Sequence, residues 1–186
     1  MTYEDVKYWI RTNYTDVEII CSRETSTPEL HLYSGDITIS FIEFTAPSFH
    51  YITNDKSTSK YIVCNTYKDD NLNILALLHE LGHHTTDQKD IPYELKYNFS
   101  KKNEVFYNEI NAWEGCKSFC EELGILWDVA FAKDMFMTYV DYFGANKYCH
   151  SLMKSVGFLS EDEFNKMYKT LKINKPLFGV ESWRNK

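Results

Sequence analysis

A basic surface is what this sequence most plainly lacks. Asp and Glu total 27 against 20 Lys and Arg, a formal net charge of −7 over 186 residues. Phosphate binding needs a positive field, so this balance argues against nucleic acid as the main partner. The local basic spots, Lys101-Lys102 and Lys166 to Lys175, sit among Glu and Asp and read as solvated surface. Long apolar runs are missing too. The longest, Ile74 to Leu78, is five residues, whereas a membrane span needs about 20, so no membrane partner is expected. The chain opens Met1-Thr2-Tyr3-Glu4-Asp5, acidic and with no apolar segment behind it, so no secretory signal is expected. The five cysteines (Cys21, Cys64, Cys116, Cys120 and Cys149) are odd in number and contain no Cys-x-x-Cys pair. Reduced thiols in a cytoplasmic protein are the expectation.

What is present is a globular composition: 44% hydrophobic and 16% aromatic, with 14 Tyr and 12 Phe. A disordered chain does not carry that load, and the length suits one core. No internal repeat, low-complexity stretch or linker divides the sequence, so a single domain over 1–186 is expected.

The texture changes near residue 70. After an opening helix from Tyr3 to Tyr14, with Val6, Trp9 and Ile10 on one face, the sequence reads as strands. Val17 to Cys21, Leu30 to Tyr33, Ile37 to Phe44, Phe49 to Ile52 and Tyr61 to Asn65 are β-branched or aromatic. Thr27-Pro28, Ser34-Gly35-Asp36, Ala46-Pro47 and Asn54-Asp55 punctuate them. Beyond residue 70 the periods are helical. Asn71 to His84 is apolar nearly all round, which predicts a buried helix. Lys102 to Leu123 follows and stops at Gly124. A third helix spans about Trp127 to Tyr142, ending near Gly144. A fourth starts behind Ser160-Glu161-Asp162-Glu163, a capping box. Strands first and helices second predict an α+β domain: a small twisted N-terminal sheet with a helix, then a buried helix and a mostly helical C-terminal half.

The buried helix carries His79-Glu80-Leu81-Gly82-His83, the His-Glu-x-x-His pattern. Histidines four apart lie one turn above each other on one helix face, so both rings reach one ion about 2 Å away. Glu80 lies beside that face, where it can take a proton from water at the ion's open position and return it to a leaving amine. Gly82 leaves room for close packing. His84 points away from the metal face and is a lesser candidate for touching substrate or the shell behind the ligands.

A catalytic zinc keeps three protein ligands and one open position. A loop containing Asp87, Asp90 and Pro92 follows the motif, and the candidates for the third ligand are Glu104, Glu109, Glu114, Cys116 and Cys120 on the next helix. On that helix Glu109, Ala112, Trp113, Cys116 and Cys120 share a stripe. A carboxylate opening an otherwise apolar stripe is out of place unless paired or metal-bound, which favours Glu109. Glu104 and Glu114 fall off the stripe and read as solvent-facing, while small buried Cys on a packing face need no metal. Glu114-Gly115-Cys116-Lys117-Ser118 looks like a segment of peptide deformylases. There, however, it precedes the motif helix, and the deformylase Gly-rich segment has no counterpart here.

From Leu77-Leu78-His79-Glu80-Leu81-Gly82-His83-His84 and the later Glu109-Ile110-Asn111-Ala112-Trp113, the sequence resembles gluzincin-type metallopeptidases of phage and mobile-element origin, near the ImmA/IrrE-type proteins. The resemblance covers about residues 72–124. It implies a zincin-like fold, one zinc ion held by His79, His83 and Glu109, Glu80 as general base, and a protein or peptide substrate met in a host cytoplasm. Two features depart from the family: Trp113-Glu114-Gly115 replaces its Asn and Phe-Ala, and its Leu-Leu-Met-Pro ending is absent. Zinc hydrolysis survives those departures and the family's repressor-linked role does not.

Peptide hydrolysis also calls for a donor to the developing oxyanion. His84, Tyr107, Tyr142, Tyr148, His150 and Arg184 qualify by chemistry. Zincins commonly bind substrate as an added strand, and Tyr61 to Asn65 is one candidate edge. Cys149-His150 suggests a thiol with its base, but adjacent residues rarely present both groups to one point. The alternatives are an inactive zincin that binds a protein partner, which has no need of Glu80, and hydrolysis of a non-peptide amide by the same residues.

Overall fold

The computed structural model describes residues 1–21, 31–34, 37–40, 48–53, 60–65, 68–86 and 101–173. Contacts group the chain into two compact units, Met1–Gln88 with Gly115–Trp127, and Lys89–Glu114 with Asp128–Lys186. Both helix and strand are present, with helix in the majority. Among the described residues no helix is long and apolar enough to cross a membrane.

The first unit opens with α1 (Tyr3–Asn13), which starts on a capping box. The Thr2 hydroxyl accepts from the Asp5 amide, and the Asp5 carboxylate accepts from the Thr2 amide. Val6 and Ile10, one turn apart, are fully buried. Among the described residues five strands follow: β1 (Val17–Cys21), β2 (His31–Ser34), β3 (Ile37–Ser40), β4 (Ser48–Thr53) and β5 (Lys60–Asn65). β2 and β3 form an antiparallel pair of their own. The other three make a sheet in the order β1-β5-β4, with β1 parallel to β5 and β4 antiparallel to it.

That order corrects the expected edge. Tyr61 to Asn65 lies in the middle strand, and the edges of the described sheet are β1 and β4. The reason is in the side chains: Ile62, Val63 and Cys64 are consecutive and all buried. A strand covered on both faces reads as an unbroken apolar run, whereas an edge strand or half-exposed one alternates.

Helix α2 (Asp70–Thr86) packs on α1, β4 and β5. Every residue from Asn73 to Gly82 is buried, as its all-round apolar pattern predicts. Leu77, Leu78 and Leu81 are fully enclosed, each contributing about 1.5–3 kcal/mol by burial. The buried helix with a carboxylate and two histidines in it is therefore anchored by leucines on its other faces.

Helix α3 (Lys101–Leu123) runs unbroken through both groups of residues and ends at Gly124, whose φ of 65° only glycine adopts readily. In the second unit, α4 (Val129–Phe143) is capped by Asp128, whose carboxylate accepts from the Ala130 and Phe131 amides. It stops at Gly144, φ 75°. α5 (Lys147–Ser155), capped by Asn146, lies where the sequence reading placed no element, between Gly144 and Ser160. α6 (Glu161–Ile173) begins on the expected capping box, with Glu163 accepting from the Ser160 amide and hydroxyl. Phe106, Phe136, Val140, Met153 and Phe158 form this unit's core, with Phe136 ring to ring with Phe106 and Phe158.

Candidate metal centre

The four-residue spacing on α2 does what helix geometry requires. His79 Nε2 and His83 Nε2 face each other at 3.2 Å. Two ligands held 2.0–2.1 Å from one ion at the tetrahedral angle are about 3.3 Å apart. The pair therefore already has the separation that a shared ion imposes. Glu109 on α3 supplies the third group: ligand atoms of His79, His83 and Glu109 all lie within 4.8 Å of one another. His79 and Glu109 are buried, at 6% and 7% exposure, and His83 is half-buried. Among the described residues this is the one group of three His, Cys, Asp or Glu side chains able to hold a metal ion. A two-His, one-carboxylate set is also the donor chemistry that a borderline divalent metal takes.

The way α3 reaches α2 is visible at two glycines. A methyl added to Gly115 would lie 3.1 Å from Gly82 Cα, so the helices meet backbone to backbone there. Beside that crossing, the Cys116 thiol donates to the Leu75 carbonyl at 3.4 Å. Burial pushes the Cys116 thiol well up from its ordinary range, so it is a neutral donor in a packing face. Glu104 and Glu114 are exposed, on the solvent side where their spacing put them.

No family model, no curated protein and no solved structure matches this chain.

Glu80 is 8% exposed and held from outside its own helix: the backbone N–H of Tyr51 on β4 donates to its Oε2 at 2.7 Å. Sequence reasoning missed Tyr51. Its contribution is a main-chain donor from a strand 29 residues away, which no residue pattern encodes, although an edge strand must place some N–H groups outside the ladder.

His84, adjacent to the candidate ligand His83, is buried in a polar network. Its Nδ1 is 3.2 Å from the Tyr51 hydroxyl and its Nε2 is 3.5 Å from Asp16 Oδ1. Tyr14 meets its ring edge-on. Asp16 in turn accepts from Lys60 Nζ at 3.1 Å. Partial burial opposes the Asp16 charge, but Lys60 and His84 outweigh it and lower its pKa. A cleft of about 620 Å³ opens along β1, lined by Arg11, Asp16, Val17, Glu18, Ile19 and Lys60 among others. None of the metal group lines it, and Asp16 on its wall is the residue that meets His84.

The other candidates fall in the second unit or outside the described residues. Burial, with the neighbouring Tyr107, pushes the Tyr148 phenol up to about 12, so it stays a neutral hydroxyl. Tyr142 is exposed and sits edge-on to Phe143. His150 lies flat on Phe164, ring centroids 3.8 Å apart. Burial likewise pushes Cys149 up to about 12 against the pull of Lys102 and the Asn146 cap. A thiol that stays protonated is no nucleophile, which leaves Cys149-His150 to packing. Asp87, Asp90, Pro92 and Arg184 lie outside the described residues.

Proposed function

We propose that the protein is a zinc-dependent metallopeptidase of zincin type, with His79, His83 and Glu109 as ligands and Glu80 as general base. The observation that carries this reading is the convergence of the three ligand side chains within 4.8 Å, at a helix that also presents Glu80. A structural zinc is closed by four protein ligands, whereas three leave a position for substrate. When bound, the metal supplies Lewis acidity, polarising a carbonyl and bringing the pKa of coordinated water toward about 7.

The chain's own groups do the rest. Glu80 takes the proton of the attacking water and later delivers it to the departing amine nitrogen, so protons balance across the cycle. Leu77, Leu78 and Leu81, fully enclosed, hold the motif helix in place and keep water from its far side. The described sheet edges, β1 and β4, offer main-chain groups of the kind that align an extended peptide. A protein or peptide substrate follows from the resemblance to gluzincin-type enzymes.

The test combines metal analysis with cleavage. Purified wild type should carry near-stoichiometric zinc, and Glu109→Ala little. Glu80→Gln should keep its zinc and lose cleavage of fluorescein-labelled casein and of a quenched mixed-sequence peptide library. Unchanged zinc in Glu109→Ala would move the third ligand elsewhere. Full biological activity in Glu80→Gln would overturn the peptidase reading in favour of a binding protein.

A further inference from the structure

Helix α2 fixes the Glu80 backbone but leaves three side-chain torsions to aim the carboxylate. A general base misaimed by about 1 Å loses on the order of a hundredfold in rate, so something must hold those torsions. The element that does so is β4. In an antiparallel edge strand alternate N–H groups leave the ladder, and Tyr51 sends its N–H to Glu80 Oε2 at 2.7 Å. A charge-assisted bond of that length commits one carboxylate oxygen and leaves the other for the reacting water.

Tyr51 is itself clamped through its side chain. Its hydroxyl meets His84 Nδ1 at 3.2 Å, His84 Nε2 meets Asp16 Oδ1 at 3.5 Å, and Asp16 Oδ2 accepts from Lys60 at 3.1 Å. Lys60 opens β5 and is in register with both Val17 of β1 and Thr53 of β4. The chain of contacts thus starts at the general base, leaves through one strand, and closes on the sheet that carries that strand.

We propose that Tyr51 is the positioning residue of the general base: its amide orients Glu80, while His84, braced by Asp16, fixes Tyr51 through the phenol. The proposal rests on the hydrolase reading above. It assigns His84 to orientation rather than to metal or oxyanion binding, and it gives the strand next to the motif helix a role set by its backbone.

The experiment uses the full chain loaded with zinc, fluorescein-casein as the kinetic probe, and amide hydrogen exchange on uniformly 15N-labelled protein. Tyr51→Phe and His84→Ala should each lower kcat about tenfold, in the range that loss of a supporting partner behind an active-site group produces. KM and zinc content should stay at wild-type values. The Tyr51 amide should exchange at least tenfold faster in Glu80→Ala and several-fold faster in His84→Ala. Tyr51→Pro deletes the donor itself at a position where an edge strand tolerates proline, and should fall about tenfold below Tyr51→Ala. Wild-type kcat in both Tyr51→Phe and His84→Ala, with exchange at the Tyr51 amide unchanged by His84→Ala, overturns the positioning role while leaving the hydrolase intact. A zinc-loaded wild type as inert as Glu80→Gln overturns the hydrolase reading, and the positioning role with it.

Discussion

Replacing Gly115 by alanine tests whether the helix crossing sets the metal centre. In an exposed helix interior this change should stabilise by about 1 kcal/mol, because alanine is the better helix former. Here the new methyl would stand 3.1 Å from Gly82 Cα, where carbon atoms prefer about 3.5–4.0 Å. The obstacle is backbone of a buried helix, not the tip of a flexible side chain, so α3 must retreat by a few tenths of an ångström. Overpacking of that kind costs about 1–3 kcal/mol. Set against the propensity gain, the net expectation is a loss of about 1 kcal/mol, or roughly 2–4 °C in Tm for a chain of this size. Glu109 lies six residues earlier on the same helix, about 9 Å along its axis. Zinc geometry tolerates about 0.2 Å, so under the proposed zinc reading a shift of the helix reaches Glu109, and zinc affinity should fall about tenfold or more. Differential scanning calorimetry gives the first quantity, and competition with a chromogenic chelator gives the second. A Gly115→Ala protein stabilised by the full propensity increment, with wild-type zinc affinity, would refute the reasoning outright.

Two further outcomes follow from the titrating groups. Glu163 is held down to about 2 by the Ser160 amide and hydroxyl and then by Lys133. A depressed carboxylate stabilises fully above its unfolded value and loses that contribution as pH falls through its folded one. The Tm difference between wild type and Glu163→Gln should therefore close as pH drops from 4.5 toward about 2, and a difference constant across that window would contradict the capping-box assignment. Cys149, pushed up to about 12 by burial, should resist iodoacetamide in the native protein at pH 8, and Cys149→Ala should cleave the peptide probes as wild type does. Rapid native alkylation together with lost cleavage would return the thiol to consideration as a nucleophile.

The parts of this molecule that were legible in the sequence are those set by local periodicity. The all-round apolar run of α2, the stops at Gly124 and Gly144, and the capping box at Ser160 are each written within a few residues, and each is found in place. The placing of Glu109 beside His79 and His83 was legible for a related reason: a carboxylate on an apolar helical stripe violates the burial rule, and violations point to partners. What was not legible is what depends on which distant segments meet. The parallel pairing of β1 with β5 joins residues 43 apart, such as Val17 with Lys60, and nothing in either strand's composition specifies that partner. The central place of β5 was nevertheless hinted at by three consecutive apolar residues, Ile62, Val63 and Cys64, a clue that outweighs its closeness in sequence to the motif helix. α5, only nine residues long, offers too few turns for a period to emerge.

Gly115 shows how a departure from a family pattern acquires a physical reading. By resemblance alone, Trp113-Glu114-Gly115 in place of Asn and Phe-Ala counted against the match. In the fold, Gly115 lets α3 lie against Gly82, and Trp113 is buried with its ring edge-on to Phe131. A large residue at 113 and the smallest at 115, two positions apart, face different neighbours around the helix. A glycine inside a helix weakens it by roughly 1 kcal/mol. That cost is offset only if close approach returns something, and what lies within two turns of the crossing on both helices is the His79, His83 and Glu109 group. The residue that departs from the resembled pattern is thus the one that lets the two helix backbones meet.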